Sequence, residues 1–235
     1  MIKSIINDLK LVSNNKKATT LSRFFKTGKG EYGEGDQFAG ITVPNSRIVA
    51  KKYAKTIDYN TIQDLISSEI HEYRLTALLI LVEKFAKDKL DDDREYLIDF
   101  YLNNTQYINN WDLVDLSCYK TLGVWLLNRD KSILFQLANS AILWEQRIAI
   151  VTCMHFIRNE QYDTFIYIAE KLLHHPHDLI HKAIGWLLRE IGKKNIEVEK
   201  AFLKKHYKNM PRTMLRYSIE RFPKEERQKY LKGTI

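Results

Sequence analysis

The chain has 235 residues, 45% of them hydrophobic and 28% charged, with a net charge of +8. That length and balance suit one large folded domain or a repeat array, and they exclude a disordered chain. No run approaches the ~20 uncharged apolar residues of a membrane-spanning helix, so no membrane partner is expected.

Met1–Leu11 carries Lys3, Asp8 and Lys10 among its apolar residues and ends without a small-residue cleavage site. It reads as an amphipathic first helix rather than a secretory signal. Five of the nine glycines, Gly28, Gly30, Gly33, Gly35 and Gly40, crowd into Thr27–Gly40. Each would cost ~1 kcal/mol inside a helix, so this stretch is a loop, closed by Val43-Pro44 ahead of a helix starting near Asn45. Its GKGEYG string lacks the Lys-Ser/Thr ending of a phosphate-binding P-loop, and no strand precedes it, so no nucleotide cofactor is expected.

From there on the periodicity is helical. In His71–Lys87, Leu75, Leu78, Leu79, Val82 and Phe85 fall on one helix face. Ile148–Ile157 is apolar nearly all round, the mark of a helix buried on most sides. Asp178–Lys193 carries Leu179, Ala183, Ile184, Leu187, Leu188 and Ile191 on one face and stops at Gly192. No segment alternates with period two, and no hairpin signal stands out. Cys118 and Cys153 sit inside apolar helical patterns and read as buried thiols of a reducing cytoplasm.

A loose repeat links these helices. HEYRLTALLI, NNWDLVDLSC, WEQRIAIVTC and LIHKAIGWLL align so that Arg74, Trp111, Arg147 and Lys182 correspond, about one repeating helix–turn–helix unit apart. Shorter helices over Thr61–Ser68, Asp93–Leu102, Lys131–Ala138 and Gln161–Leu173 precede them. The expected architecture is all-α, one domain over residues 1–235, with stacked antiparallel helix pairs forming a curved solenoid. Residues at matching repeat positions then project into one groove. Charge is uneven along the chain. Lys182–Ile235 holds 15 Lys and Arg against 6 acidic residues, while the remainder nets −1. A polyanion-facing surface and a merely solvated C-terminal helix pair both fit that asymmetry.

Five side chains could carry chemistry. Trp111 and Asp115 are four apart and share a helix face, and Trp186 and Arg189, three apart, share another. Arg147 lies near the start of an otherwise apolar helix, where a charge needs a partner or a task. Each also has a structural reading. The tryptophans could fill the core, Asp115 could pair with Arg147, and Arg189 could be a cation favoured by the end of its helix.

The strings NNWDLVDLS, WEQRIAI and HKAIGWLLREIGK, in that order, resemble the AlkD-type DNA alkylation repair glycosylases. So does SRFFKTG followed by the glycine loop, FAGITVP and an arginine. The resemblance spans about Ser22 to Arg216. It implies a stack of HEAT-like repeats with a concave basic groove for double-stranded DNA. It also implies hydrolysis of the N-glycosidic bond of cationic N3- and N7-alkylpurines without enclosure of the base. On the family pattern Asp115 is the catalytic carboxylate, Trp111 and Trp186 flank the deoxyribose, and Arg147 and Arg189 hold phosphates. Phe24 stands where some members carry Tyr, which removes a possible phosphate hydrogen bond. His155 stands where a basic residue can follow the groove arginine, a weaker and pH-dependent cation. Lys193 and Lys194 join the expected phosphate contacts, with Lys204 and Lys205 beyond them. His174, His175, His177 and His181 lie at a turn without a spaced carboxylate, so no metal is expected.

Those residue types suit the implied reaction. Alkylation at N3 or N7 makes the purine a cationic leaving group that needs no general acid. The sugar becomes oxocarbenium-like, and a preorganised carboxylate stabilises that charge or orients the attacking water. Electron-rich indole faces favour the same cation. With no paired Asn or Gln to read base edges, bulky cationic adducts should be tolerated. Binding through phosphates should weaken steeply with salt. A groove enzyme of this kind can work as a monomer. Two other functions remain open, a helical scaffold for a protein partner and a catalytically silent DNA-binding relative.

Overall fold

The computed structural model describes residues 1–235. Its helices are α1 (Ile2–Leu11), α2 (Asn15–Phe24), α3 (Val43–Tyr53), α4 (Tyr59–Ile66), α5 (His71–Lys87), α6 (Asp91–Leu102) and α7 (Trp111–Asp115), followed by α8 (Leu122–Leu126), α9 (Ser132–Asn139), α10 (Leu143–Arg158), α11 (Asp163–Lys171), α12 (Asp178–Lys194), α13 (Ile196–His206), α14 (Arg212–Ser218) and α15 (Lys224–Lys232). Short 3₁₀ turns occupy Thr105–Tyr107, Cys118–Lys120 and Ile219–Arg221. Apart from one isolated bridge, Gln37 to Ile70, there is no β structure. No helix is long and apolar enough to cross a membrane. The chain divides into two compact units, Met1–Ser117 and Cys118–Ile235.

In the first unit α5 is the central element, packed against α3 and α4. Its first eleven residues, His71 to Leu81, are all buried, so three polar side chains at its start, His71, Glu72 and Arg74, must find partners inside the protein. α1 buries Ile5 and Leu9 and is tied to α3 by Asp8, whose Oδ2 accepts from Lys52 Nζ at 2.6 Å and Tyr53 Oη at 2.8 Å. Pro44 sits in the first turn of α3, where its missing N–H is no loss. The helix therefore starts at Val43, slightly earlier than the sequence suggests.

The glycine segment between α2 and α3 is irregular, as its composition requires, yet it is pinned. The buried Glu72 carboxylate accepts backbone N–H bonds from Ala39, Gly40 and Ile41 at 2.9, 2.8 and 3.0 Å. Gly40 has φ +76°, and a Cβ there would lie 2.0 Å from the Asn14 carbonyl oxygen. No other residue fits.

In the second unit α12 is central, packed against α10, α13 and α14. The stripe read from the sequence is buried at Ala183, Ile184, Leu187, Leu188 and Ile191, while Leu179 is half-buried. α10 is buried on most sides, as its composition implies. Cys118 and Cys153 are buried free thiols, and burial pushes the Cys153 pKa up.

Candidate functional site

The segment NNWDLVDLSC does not form a long helix like its repeat partners. Asn110 Oδ1 accepts from the Trp111 N–H at 2.9 Å and opens α7, which runs only to Asp115. A 3₁₀ turn and α8 follow. Trp111 begins the helix and Asp115 ends it, which keeps both on one side.

Aromatic rings build the wall around them. Phe25 stacks on Trp111, ring centroids 5.1 Å apart and planes 19° from parallel, and on Phe38 at 5.1 Å and 18°. Phe24 meets Trp111 edge-on at 5.9 Å and is 62% exposed. Phe38 in turn lies flat on the His71 ring at 4.5 Å. Together these rings line a cavity of about 660 Å³, whose other lining groups include the acids Asp115, Asp112 and Glu72 and the cations Lys16 and Lys17 of α2. Three expected site residues, Phe24, Trp111 and Asp115, thus meet at one cavity within the first unit. The wall supplied by Phe25 and Phe38 is absent from the sequence reading. Its only signal there was a dense run of aromatics flanking the glycine segment.

A charged cluster underlies this wall. His71 Nδ1 lies 3.1 Å from Asp36 Oδ2, and its Nε2 lies 2.9 Å from Asp112 Oδ2. Asp36 also accepts from Arg74 Nη2 at 2.6 Å and Asn109 Nδ2 at 3.0 Å. Burial opposes charge on His71, but the Asp112 carboxylate and the hydrogen bonds to both acids outweigh it and raise its pKa to about 9. Asp36 is lowered: burial works against its charge, and His71 and Arg74 prevail.

The second unit holds the other expected residues. Arg147 on α10 is 5% exposed and donates through Nη1 to the Leu179 carbonyl at 2.5 Å. Trp186 and Arg189 are half-buried on α12. Arg189 pairs with Glu220 and lies 3.8 Å from Glu190. Lys193 also bonds Glu190, at 2.5 Å, and Lys194 is exposed. His155 is half-buried, and burial with the nearby Arg158 lowers its pKa, so it is a neutral imidazole at pH 7 rather than a cation. Of the C-terminal histidines, His177 caps α12 by accepting the Leu179 N–H at 3.1 Å. No group of three His, Cys, Asp or Glu is arranged to hold a metal ion.

The family model for DNA alkylation repair enzymes matches residues 5–222. The chain belongs to the DNA alkylation repair enzyme family. Among solved structures it is similar to a predicted DNA alkylation repair enzyme from Enterococcus faecalis, with a TM-score of 0.68 and 19% identity over 90% of this chain and 97% of that one. That likeness bears on the fold, an all-α helical-repeat architecture. No curated relative matches. Family membership makes the chain a DNA repair enzyme.

Proposed function

We propose that this repair enzyme is a DNA glycosylase acting on cationic N3- and N7-alkylpurines in duplex DNA. The observation that carries this reading is the placement of Asp115 and Trp111 on one cavity walled by aromatic rings. A carboxylate beside ring faces is the environment a developing oxocarbenium ion needs. As the N–C1′ bond breaks, the purine leaves with the bonding pair and becomes neutral. Water then adds to C1′ and gives up a proton, with Asp115 orienting it and accepting the proton. The products are a free alkylpurine and an abasic site.

Arg189, Lys193 and Lys194 of the second unit hold phosphates, contacts that position the duplex without reading sequence, whereas Arg147, buried and bonded to the Leu179 carbonyl, is not offered to them. The cavity lining contains no Asn or Gln, which favours catalysis at the sugar over recognition of base edges and leaves room for bulky cationic adducts. Neutral lesions such as hypoxanthine are poor substrates on this mechanism.

The test is release of free 7-methylguanine from methylated duplex DNA by the wild type beside Asp115→Asn. The wild type releases base, and the variant loses at least about a hundredfold in rate. A wild type without turnover refutes the reading and leaves a binding protein. Equal rates would remove Asp115 from the chemistry.

A further inference from the structure

α7 is five residues long, too short to hold its own orientation through internal hydrogen bonds. Something outside it must fix which way Trp111 and Asp115 point. All three residues between them, Asp112, Leu113 and Val114, are buried. Leu113 and Val114 anchor α7 by packing, and Asp112 is the polar one, its Oδ2 bound by His71. The opposite edge of the same imidazole reaches Asp36 in the glycine segment. Both contacts are to carboxylate oxygens, which only accept, so both hydrogen bonds require a ring with two N–H groups. His71 is 1% exposed, and Phe38 lies flat against it, a further support for a cationic ring. Arg74 shares Asp36 and fixes it to the Ser68 carbonyl at 2.8 Å and the Asn109 side chain at 3.0 Å. Two acids and two bases make a closed, buried set.

We propose that His71 is a positioning residue: its ring, bonded at both nitrogens, clamps α7 to the glycine segment and thereby aims Asp115 and Trp111 into the cavity. The catalytic part of this statement rests on the glycosylase reading. The charged groups around the ring are Asp36 from the glycine segment, Asp112 from α7, and Arg74 and Glu72 from α5, with Lys16 and Lys17 of α2 lining the same cavity. Loss of the second ring proton, at about pH 9, breaks the His71 bond to one of the two acids and so loosens the clamp, although Asp36 keeps its bonds from Arg74 and Asn109.

Single-turnover rates on one methylated duplex, measured from pH 7 to 10 for the wild type and His71→Gln, test this; using one substrate cancels the base's own ionisation. The expected result is a wild-type rate that falls through about pH 9, and a variant at least tenfold slower at pH 7.5 that lacks that fall, with duplex affinity unchanged. A variant as fast as wild type, or one that is slow but keeps the fall near pH 9, overturns the clamp. Ring-nitrogen NMR of wild-type His71, with the Trp111 indole resonance as reporter, decides the matter if the variant does not fold or the wild type has no turnover. Two protonated nitrogens at pH 7.5, with Trp111 shifting as one is lost near pH 9, support the proposal. A singly protonated ring, or a Trp111 signal indifferent to its titration, refutes it.

Discussion

Arg189 on α12 donates through Nη1 to the carboxylate of Glu220 in the 3₁₀ turn Ile219–Arg221. Any phosphate that Arg189 holds must therefore compete with an acid already in place. Glu220 is 56% exposed, and an ion pair of that kind contributes about 1 kcal/mol at most. Glu220→Gln should tighten binding to undamaged duplex up to about fivefold at low salt, measured by fluorescence anisotropy. Removing a negative charge anywhere gives some gain, so the discriminating comparison uses an Arg189→Ala background. There the same change should gain much less. Equal gains in both backgrounds would show that Arg189 does not meet DNA.

Phe24 offers a second handle on the cavity. Its ring touches Phe25 and Trp111 edge-on yet is mostly exposed, so little apolar area is at stake in folding. Phe24→Ala should leave the melting temperature within about 2 °C of wild type, while lowering base release by opening the cavity beside Asp115. Phe24→Tyr keeps the ring and adds a hydroxyl, and should restore release and tighten duplex binding. A melting temperature that collapses in Phe24→Ala would make this ring structural instead.

The helices His71–Lys87 and Asp178–Lys194 were legible because a long apolar stripe of helical period survives any tertiary context. Trp111 and Asp115 were legible too, since four-residue spacing places them together whether the helix is long or short. The length of that helix was not. Apolar residues continue through Leu122–Leu127, and periodicity alone does not reveal that the chain breaks into a five-residue helix, a 3₁₀ turn and another short helix. The clamp was also hidden. Asp36, His71 and Asp112 are far apart in sequence, and only the unexplained presence of His, Glu and Arg at the head of a helix whose first eleven residues are buried pointed to partners. Composition marked the glycine segment as a loop. Its order comes from the distant Glu72, whose carboxylate collects three backbone N–H groups.

That pinning makes Gly40 the least replaceable glycine of the segment. Alanine there would carry a positive φ and place its Cβ 2.0 Å from the Asn14 carbonyl oxygen, disturbing the start of α2 and the wall bearing Phe24 and Phe25. The expected cost is about 2 kcal/mol or more, a fall of about 4–8 °C in melting temperature. Gly35 also has a positive φ but open space around it, so Gly35→Ala should cost about 1–2 kcal/mol, from the backbone alone. Thermal melts of the two variants, side by side, check the order. Equal losses would mean that the contact with Asn14 relaxes freely.

Glu199, near the start of α13, is 2% exposed, and its Oε1 has no hydrogen-bond partner. Its carboxyl packs directly over Gly192, where any side chain would collide with it. Burial, with the Glu226 carboxylate adding to it, raises its pKa to about 8 from 4.5. The folded protein thus keeps a proton on Glu199 that the unfolded chain releases near pH 4.5. Across pH 4.5 to 8 the folded state binds more protons at this site, so stability falls as pH rises, by up to about 1.4 kcal/mol per unit. Above pH 8 the loss is complete, and below 4.5 it is absent. Glu199→Gln removes the titrating group while keeping its shape. The variant should match the wild type near pH 4.5 and melt progressively higher than it toward pH 8. A difference in melting temperature that stays constant from pH 5 to 8 would place the proton elsewhere and leave Glu199 ionised.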